Sequence, residues 1–167
     1  MEKAQLSQDI SSVFDEVIAI LNEVPQDLFN EVPFEDSWTI GQVAEHIAIC
    51  SRGIPDSHVK EAERHYDENV ETLKAIFLDM SQKAKADPAV TPHLPPHQKE
   101  DLLEKIKANK LLLSKTIDDK ELSPICLDME FPFMGYLTRY EWLRFVQVHT
   151  QRHLNQVKNI QAHLVNQ

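Results

Sequence analysis

Thr138-Arg139-Tyr140-Glu141-Trp142-Leu143-Arg144-Phe145-Val146-Gln147-Val148-His149-Thr150-Gln151-Arg152-His153-Leu154-Asn155-Gln156 sets the architecture expected of this chain. Its first four residues read as a capping box, because the Thr138 hydroxyl can accept the backbone N–H three residues on while Glu141 reaches back to the Thr138 amide. A helix is therefore predicted to start near Thr138. From there Leu143, Val146, Thr150, His153, Val157, Ile160 and Leu164 recur at alternating intervals of three and four, the apolar stripe of a bundle helix. His153 falls on that stripe, and His149 falls on its edge, about 60° from the centre. Residues four apart stand one turn above each other on one face, so both imidazoles can point at one atom. Either histidine alone is more often a hydrogen-bonded core residue than a ligand. Two on adjacent turns, both directed inward, need a reason to be buried, and a metal ion supplies one.

A bundle builds metal sites from inward side chains on facing helices, so a third ligand is expected from another helix. Ser37-Trp38-Thr39-Ile40-Gly41-Gln42-Val43-Ala44-Glu45-His46-Ile47 offers one. Thr39 with Gln42 makes a second capping box, and Ile40, Val43, Ile47 and Cys50 mark the buried stripe of the helix that follows. His46 lies at the edge of that stripe. Taken alone it reads as an interfacial histidine; paired with His149 and His153 it completes a ligand set. Cys50, four residues after His46, is a softer candidate ligand, with a small buried residue as its ordinary reading.

These two motifs, Trp-Thr-Ile-Gly-Gln-Val-Ala-Glu-His early in the chain and Leu-Thr-Arg-Tyr-Glu-Trp-Leu-Arg-Phe-Val-Gln-Val-His-Thr-Gln-Arg-His-Leu-Asn-Gln near its end, resemble the DinB/YfiT-like superfamily. The resemblance covers nearly the whole chain. It implies a four-helix bundle of up-down-down-up topology with a divalent metal held by three histidines, one from the second helix and two from the fourth. Carried over, these are His46, His149 and His153, none of them substituted. The family spans thiol-dependent S-transferases, isomerases, hydrolases and proteins of no assigned activity, and homodimers are common in it.

Composition agrees with an all-α class. The chain has 167 residues, the size of one domain, here taken as 1–167. Three Gly and few β-branched runs favour helix, and the nine Pro fall almost entirely between periodic segments. A formal net charge of -10 without a basic cluster disfavours nucleic acid and anionic membranes as partners. No apolar run of roughly 18 residues is present, and Met1-Glu2-Lys3-Ala4-Gln5 does not read as a signal peptide, so a cytoplasmic location is expected. Cys50 and Cys126, without CxxC spacing, read as reduced thiols.

The remaining segments organise around the two motifs. Leu6, Ile10, Val13, Val17 and Leu21 predict a first helix of about 20 residues ending before Pro25, followed by a connection short enough for an antiparallel neighbour. In the long crossover between the second and third main helices, Tyr66, Val70, Leu73, Phe77 and Met80 predict an accessory helix. Asp87-Pro88 to Pro95-Pro96 is expected to be a loop, and Leu102, Ile106, Leu113 and Ile117 mark the third main helix. His58, Glu61 and His65 imitate a second ligand set at helical spacing, but Lys60, Glu63, Arg64, Asp67 and Glu68 around them describe a solvated helix face. His93 and His97, flanking the prolines, are expected to be exposed, and nothing distinguishes His163.

Three neutral imidazoles would leave a divalent ion with open positions, as in a catalytic site, and such an ion can activate water or a thiol at neutral pH. Zinc, nickel, iron and copper all suit imidazole ligands. A zincin would carry Glu directly after the first histidine of the pair, where this chain has Thr150, so that peptidase chemistry is disfavoured. No Gly-x-Ser-x-Gly elbow, phosphate loop or dinucleotide fingerprint occurs. Gln42, Glu45, Arg152 and Gln156 lie within about a turn of the ligands, where each reads as a residue that orients an imidazole or meets a substrate's charge or equally as a surface residue. Phe133 and Tyr136 read as a pocket wall or equally as simple packing. The function expected is a metal-dependent transferase of the thiol S-transferase kind, or a hydrolase, acting on a small molecule. The alternatives are a non-catalytic metal-binding protein of stress response or interaction, and a dimerising scaffold.

Overall fold

A computed structural model describes residues 1–167. Four long helices form the body: α1 (Lys3–Glu23), α3 (Ile40–Cys50), α5 (Lys99–Asp119) and α6 (Arg139–Val165). Two short helices accompany them, α2 (Gln26–Phe29) and α4 (Val70–Phe77), with a single 3-10 turn at Pro88–Val90. The main core is built by Leu6, Ile10, Phe14, Val17 and Leu21 of α1, Ile40, Val43 and Ile47 of α3, Ile106 and Leu113 of α5, and Leu143, Val146, Val157 and Ile160 of α6. Apart from Phe14, which the stripe read from the sequence leaves out, these are the positions of the apolar periodicity, so periodicity and packing agree.

Both capping boxes form. Thr39 Oγ1 accepts from Gln42 N at 3.1 Å and Gln42 Oε1 accepts from Thr39 N at 3.0 Å. Thr138 Oγ1 accepts from Glu141 N at 3.1 Å and Glu141 Oε2 from Thr138 N at 2.9 Å. Each box fixes the first turn, and with it the rotation of the helix that carries a histidine inward.

Adjacency differs from the expectation. α1 packs against α5 and α6, and α3 packs against the same two, so α1 and α3 stand on opposite corners rather than side by side. The chain crosses the end of the bundle through α2, whose Phe29 is fully buried there. α6 is thus the neighbour that α3 shares a seam with, which is what brings His46 to the histidine pair.

The crossover helix is shorter than Tyr66 to Met80. Tyr66 lies before it, its ring set edge-on to Tyr140 at 4.8 Å and its carbonyl accepting from the Thr138 hydroxyl at 2.6 Å. Beyond Phe77 the Arg152 guanidinium donates to the carbonyl of Phe77 (3.3 Å), the last residue of the helix, and to those of Asp79 (2.9 Å) and Gln82 in the segment that follows. α4 packs on α6, and a second apolar cluster of Leu73, Cys126, Phe131, Leu137 and Trp142 fills the space under it. A two-stranded antiparallel ladder, β1 (Val59–Lys60) with β2 (Ile125–Cys126), pairs Val59 with Cys126 and Lys60 with Ile125. Nothing in the helical periodicity marks so short a pairing.

Candidate metal centre

The seam between α3 and α6 gathers the three histidines. One turn of α6 sets His149 and His153 with their rings 4.4 Å apart and near perpendicular, and with their Nε2 atoms 3.1 Å apart. From α3, His46 brings its Nε2 to 3.3 Å from that of His149 and its ring to 4.5 Å from that of His153. All three are buried. Trp38 covers His46 at 5.2 Å between ring centres, while Phe145 (5.1 Å) and Phe77 (5.8 Å) cover His149.

Tautomers follow from the outer partners. His46 Nδ1 lies 2.7 Å from the Val90 carbonyl, which can only accept, so Nδ1 carries the proton and the Nε2 lone pair faces inward. His153 Nδ1 lies 2.7 Å from Gln156 Oε1, another acceptor, with the same result. Two lone pairs are therefore aimed at the junction where His149 Nε2 also points. His149 Nε2 has at most one proton to offer, and one proton does not satisfy two opposed lone pairs among buried rings. A cation does. Four ligands at 2.0–2.1 Å around a tetrahedral ion stand about 3.4 Å from one another, close to the separations present here.

Burial keeps the donors neutral. It pushes His46 below its ordinary range against the hydrogen bond to Val90, and it pushes His153 down to about 3, with His46 and Arg152 adding to the effect. His149 is held well below the ordinary imidazole value by burial first, then by His153, His46 and Arg152. Neutral imidazole is the form that binds metal.

Cys50 joins the cluster from the last position of α3. Its Sγ lies 3.7 Å from His46 Nε2 and 3.8 Å from Nδ1. Ligand atoms of His46, Cys50 and His149 all fall within 4.8 Å of one another, a second set that shares two members with the histidine trio. Burial pushes the thiol up to about 12.

Of the residues expected to support the site, Gln156 orients His153 as described. Gln42 serves the capping box and donates to the His93 carbonyl at 3.4 Å instead. Glu45 faces away, gripping His93 Nδ1 at 2.6 Å and His97 Nε2 at 2.7 Å. Arg152 is committed to the end of α4. Phe133 and Tyr136 are exposed and line no wall; Phe77, Phe145 and Trp38 do so. Val90 has no sequence signal, because its contribution is a backbone carbonyl from a distant turn.

The other histidines divide. His93 is exposed as expected, but His97 is buried, a correction with a steric cause. Its Cβ packs over Gly41, where an added Cβ would meet it at 3.0 Å and the Phe29 ring at 3.1 Å, so only glycine admits so close an approach. Asn30 Oδ1 accepts from the His97 amide at 2.7 Å. His58, Glu61 and His65 lie outside any helix, so the helical spacing does not apply; His58 pairs with Asp128 at 2.6 Å and His65 with Asp67. Arg64, expected on a solvated face, holds the fully buried Glu141 through two bonds of 2.7 and 2.8 Å. His163 is exposed and bonds the Asn159 carbonyl.

Comparison with known proteins follows the same lines. A family model described as the DinB superfamily matches residues 10–157. A solved structure titled as the crystal structure of TT2238, a four-helix bundle protein, superposes with a TM-score of 0.54 at 18% identity, covering 94% of this chain and 98% of that one. At that identity the likeness concerns the fold alone. No curated protein matches the chain.

Proposed function

The chain belongs to the DinB superfamily, and from that membership we propose that it binds a divalent metal ion through His46, His149 and His153 and acts on a small molecule. The observation that carries this reading is the convergence of three Nε2 atoms, two with lone pairs fixed inward by Val90 and Gln156. Zinc, nickel or iron suits the donors. Such an ion supplies a nucleophile at neutral pH by activating a bound thiol or water, which makes an S-transferase or a hydrolase the reaction classes. The protein's own part is to keep the three imidazoles neutral, to fix their tautomers and to exclude bulk water with Trp38, Phe77 and Phe145. A low-molecular-weight thiol is the co-substrate of the transferase reading. The near-complete burial of all three rings supports a second reading, metal binding without turnover, in stress response or as an interaction module.

The family resemblance also underlies the remaining expectations: one domain over 1–167, an up-down-down-up path for α1, α3, α5 and α6 with α4 as the accessory helix, a homodimer, and a cytoplasmic setting. No helix is long and apolar enough to cross a membrane. The net charge of -10 supports neither nucleic acid nor an anionic membrane as partner.

Elemental analysis of untagged protein tests the premise. Near-stoichiometric metal that is lost in His149→Ala and His153→Ala is expected; negligible metal in all three proteins would overturn it. Metal-loaded protein, screened with thiols plus electrophilic acceptors and separately with esters and amides, then divides transferase from hydrolase. Turnover indifferent to a chelator would overturn the catalytic reading.

A further inference from the structure

We propose that Cys50 is a fourth protein ligand of this centre, closing the three imidazoles into a tetrahedral set of three nitrogens and one sulfur. The proposal rests on the metal reading of His46, His149 and His153 and adds to it. The first support is helical: His46 and Cys50 stand one turn apart on α3, as His149 and His153 do on α6, so each helix contributes a pair to the same seam. The second is metric. With metal–nitrogen bonds of 2.0–2.1 Å and a metal–sulfur bond of 2.3 Å, tetrahedral angles place nitrogen about 3.4 Å and sulfur about 3.6 Å from a neighbouring nitrogen. His149 Nε2 stands 3.1 Å from that of His153 and 3.3 Å from that of His46, and Cys50 Sγ is 3.7 Å from His46 Nε2. Ligand atoms of Cys50, His46 and His149 lie within 4.8 Å of one another, so closing the set around His153 as well asks for a small inward shift of the sulfur. A third is that Cys50 Sγ meets only the His46 ring among polar side chains, where Nε2, with Nδ1 protonated towards Val90, is the one nitrogen able to accept its S–H.

Ligation is a balanced exchange. The Cys50 S–H bond breaks, its proton passes to solvent, and the thiolate pair forms the bond to the metal in place of a water ligand. The consequence is chemical. Three imidazoles alone leave a position for substrate, whereas a thiolate in the fourth place gives a closed set, as in structural zinc sites, and favours zinc over metals that prefer oxygen. Substrate then enters only by displacing Cys50 or by a fifth coordination position. Cys126 takes no part, since it is buried in the apolar cluster of Leu73, Phe131, Leu137 and Trp142 with no polar partner among the three histidines. It serves as the internal control.

Titration of the full-length metal-free chain with cobalt(II) distinguishes the outcomes. The expected spectrum has the visible bands of four-coordinate cobalt together with a near-ultraviolet thiolate-to-cobalt band, which Cys126→Ser keeps and Cys50→Ser loses while retaining visible bands. Visible bands without the thiolate band, or a thiolate band that survives Cys50→Ser, would overturn the proposal and leave the three-histidine reading intact. No cobalt spectrum at all would overturn both. Alkylation of the unmutated protein checks the same point without a variant: cobalt should slow iodoacetamide labelling of Cys50, because a metal-bound thiolate pair is not free to attack, and labelling unchanged by bound cobalt would overturn the proposal.

Discussion

Away from the α3–α6 seam, His58, His65, His93 and His97 each turn a ring nitrogen to a carboxylate, supplied by Asp128, Asp67 and Glu45. Inside the seam, His46, His149 and His153 turn theirs to one another, and no carboxylate is among their partners. The two groups use the same side chain under opposite electrostatic terms. An imidazole beside a carboxylate is satisfied as a donor or as a cation. Imidazoles that present lone pairs to each other in a buried space repel until something positive sits between them. Burial alone does not separate the groups, because His97 is as covered as His149. The identity of the partner does.

Removing a member of the seam should break the comparison most visibly. His149→Ala or His153→Ala is expected to weaken zinc binding by more than the roughly hundredfold that follows loss of an outer partner, measured by competition with a chromophoric chelator. On stability, the largest effect is expected where α6 begins. Glu141 is fully buried, and Arg64 is its cation, so Arg64→Ala leaves a buried carboxylate with the Thr138 and Asn69 amides but no countercharge and should cost about 3 kcal/mol. For a chain of this length that lowers Tm by roughly 6–12 °C in calorimetry. Gln156→Ala frees His153 to change tautomer and should weaken zinc binding by about tenfold with little change in Tm.

Acid provides a subtler probe. His153 titrates near 3 in the folded chain and near the ordinary 6.5 when unfolded, and His149 is shifted in the same direction. Below about 6.5 the unfolded state therefore binds protons that the folded state refuses, so stability is lost as pH falls from 6.5 towards 3. Denaturant unfolding of the metal-free protein at pH 7 and at pH 4.5 should show that loss, and a smaller one in His153→Leu. The smallest effect belongs outside the seam: His58→Ala removes an exposed pair and should leave stability within about 0.5 kcal/mol and metal content unchanged.

Much of this was legible in the residues because it is local. The capping boxes at Thr39 and Thr138 and the three-four periodicity of α1, α3, α5 and α6 need only near neighbours in sequence, and they suffice to aim His46, His149 and His153 inward. Gln156, three residues after His153, lies within the same reach. What could not be read depends on distant backbone. Val90 contributes a carbonyl to a residue 44 positions away. Arg64 is surrounded in sequence by charges typical of a wet surface, yet its partner is a carboxylate 77 residues on. His97 follows two prolines, which signal a loop, but the loop docks over Gly41 and is covered. Cys50 is intermediate, since its spacing from His46 is local while the approach of its sulfur to the cluster is set by the packing of α3 against α6.

The central claim, that a cation belongs at the junction of three imidazoles, is tested most directly by anomalous diffraction from crystals of the zinc-loaded chain. The account predicts a single strong peak in the α3–α6 seam about 2.0–2.1 Å from Nε2 of His46, His149 and His153. A seam without a peak, or zinc bound only at the carboxylate-paired histidines His58, His65 or His93, would contradict it.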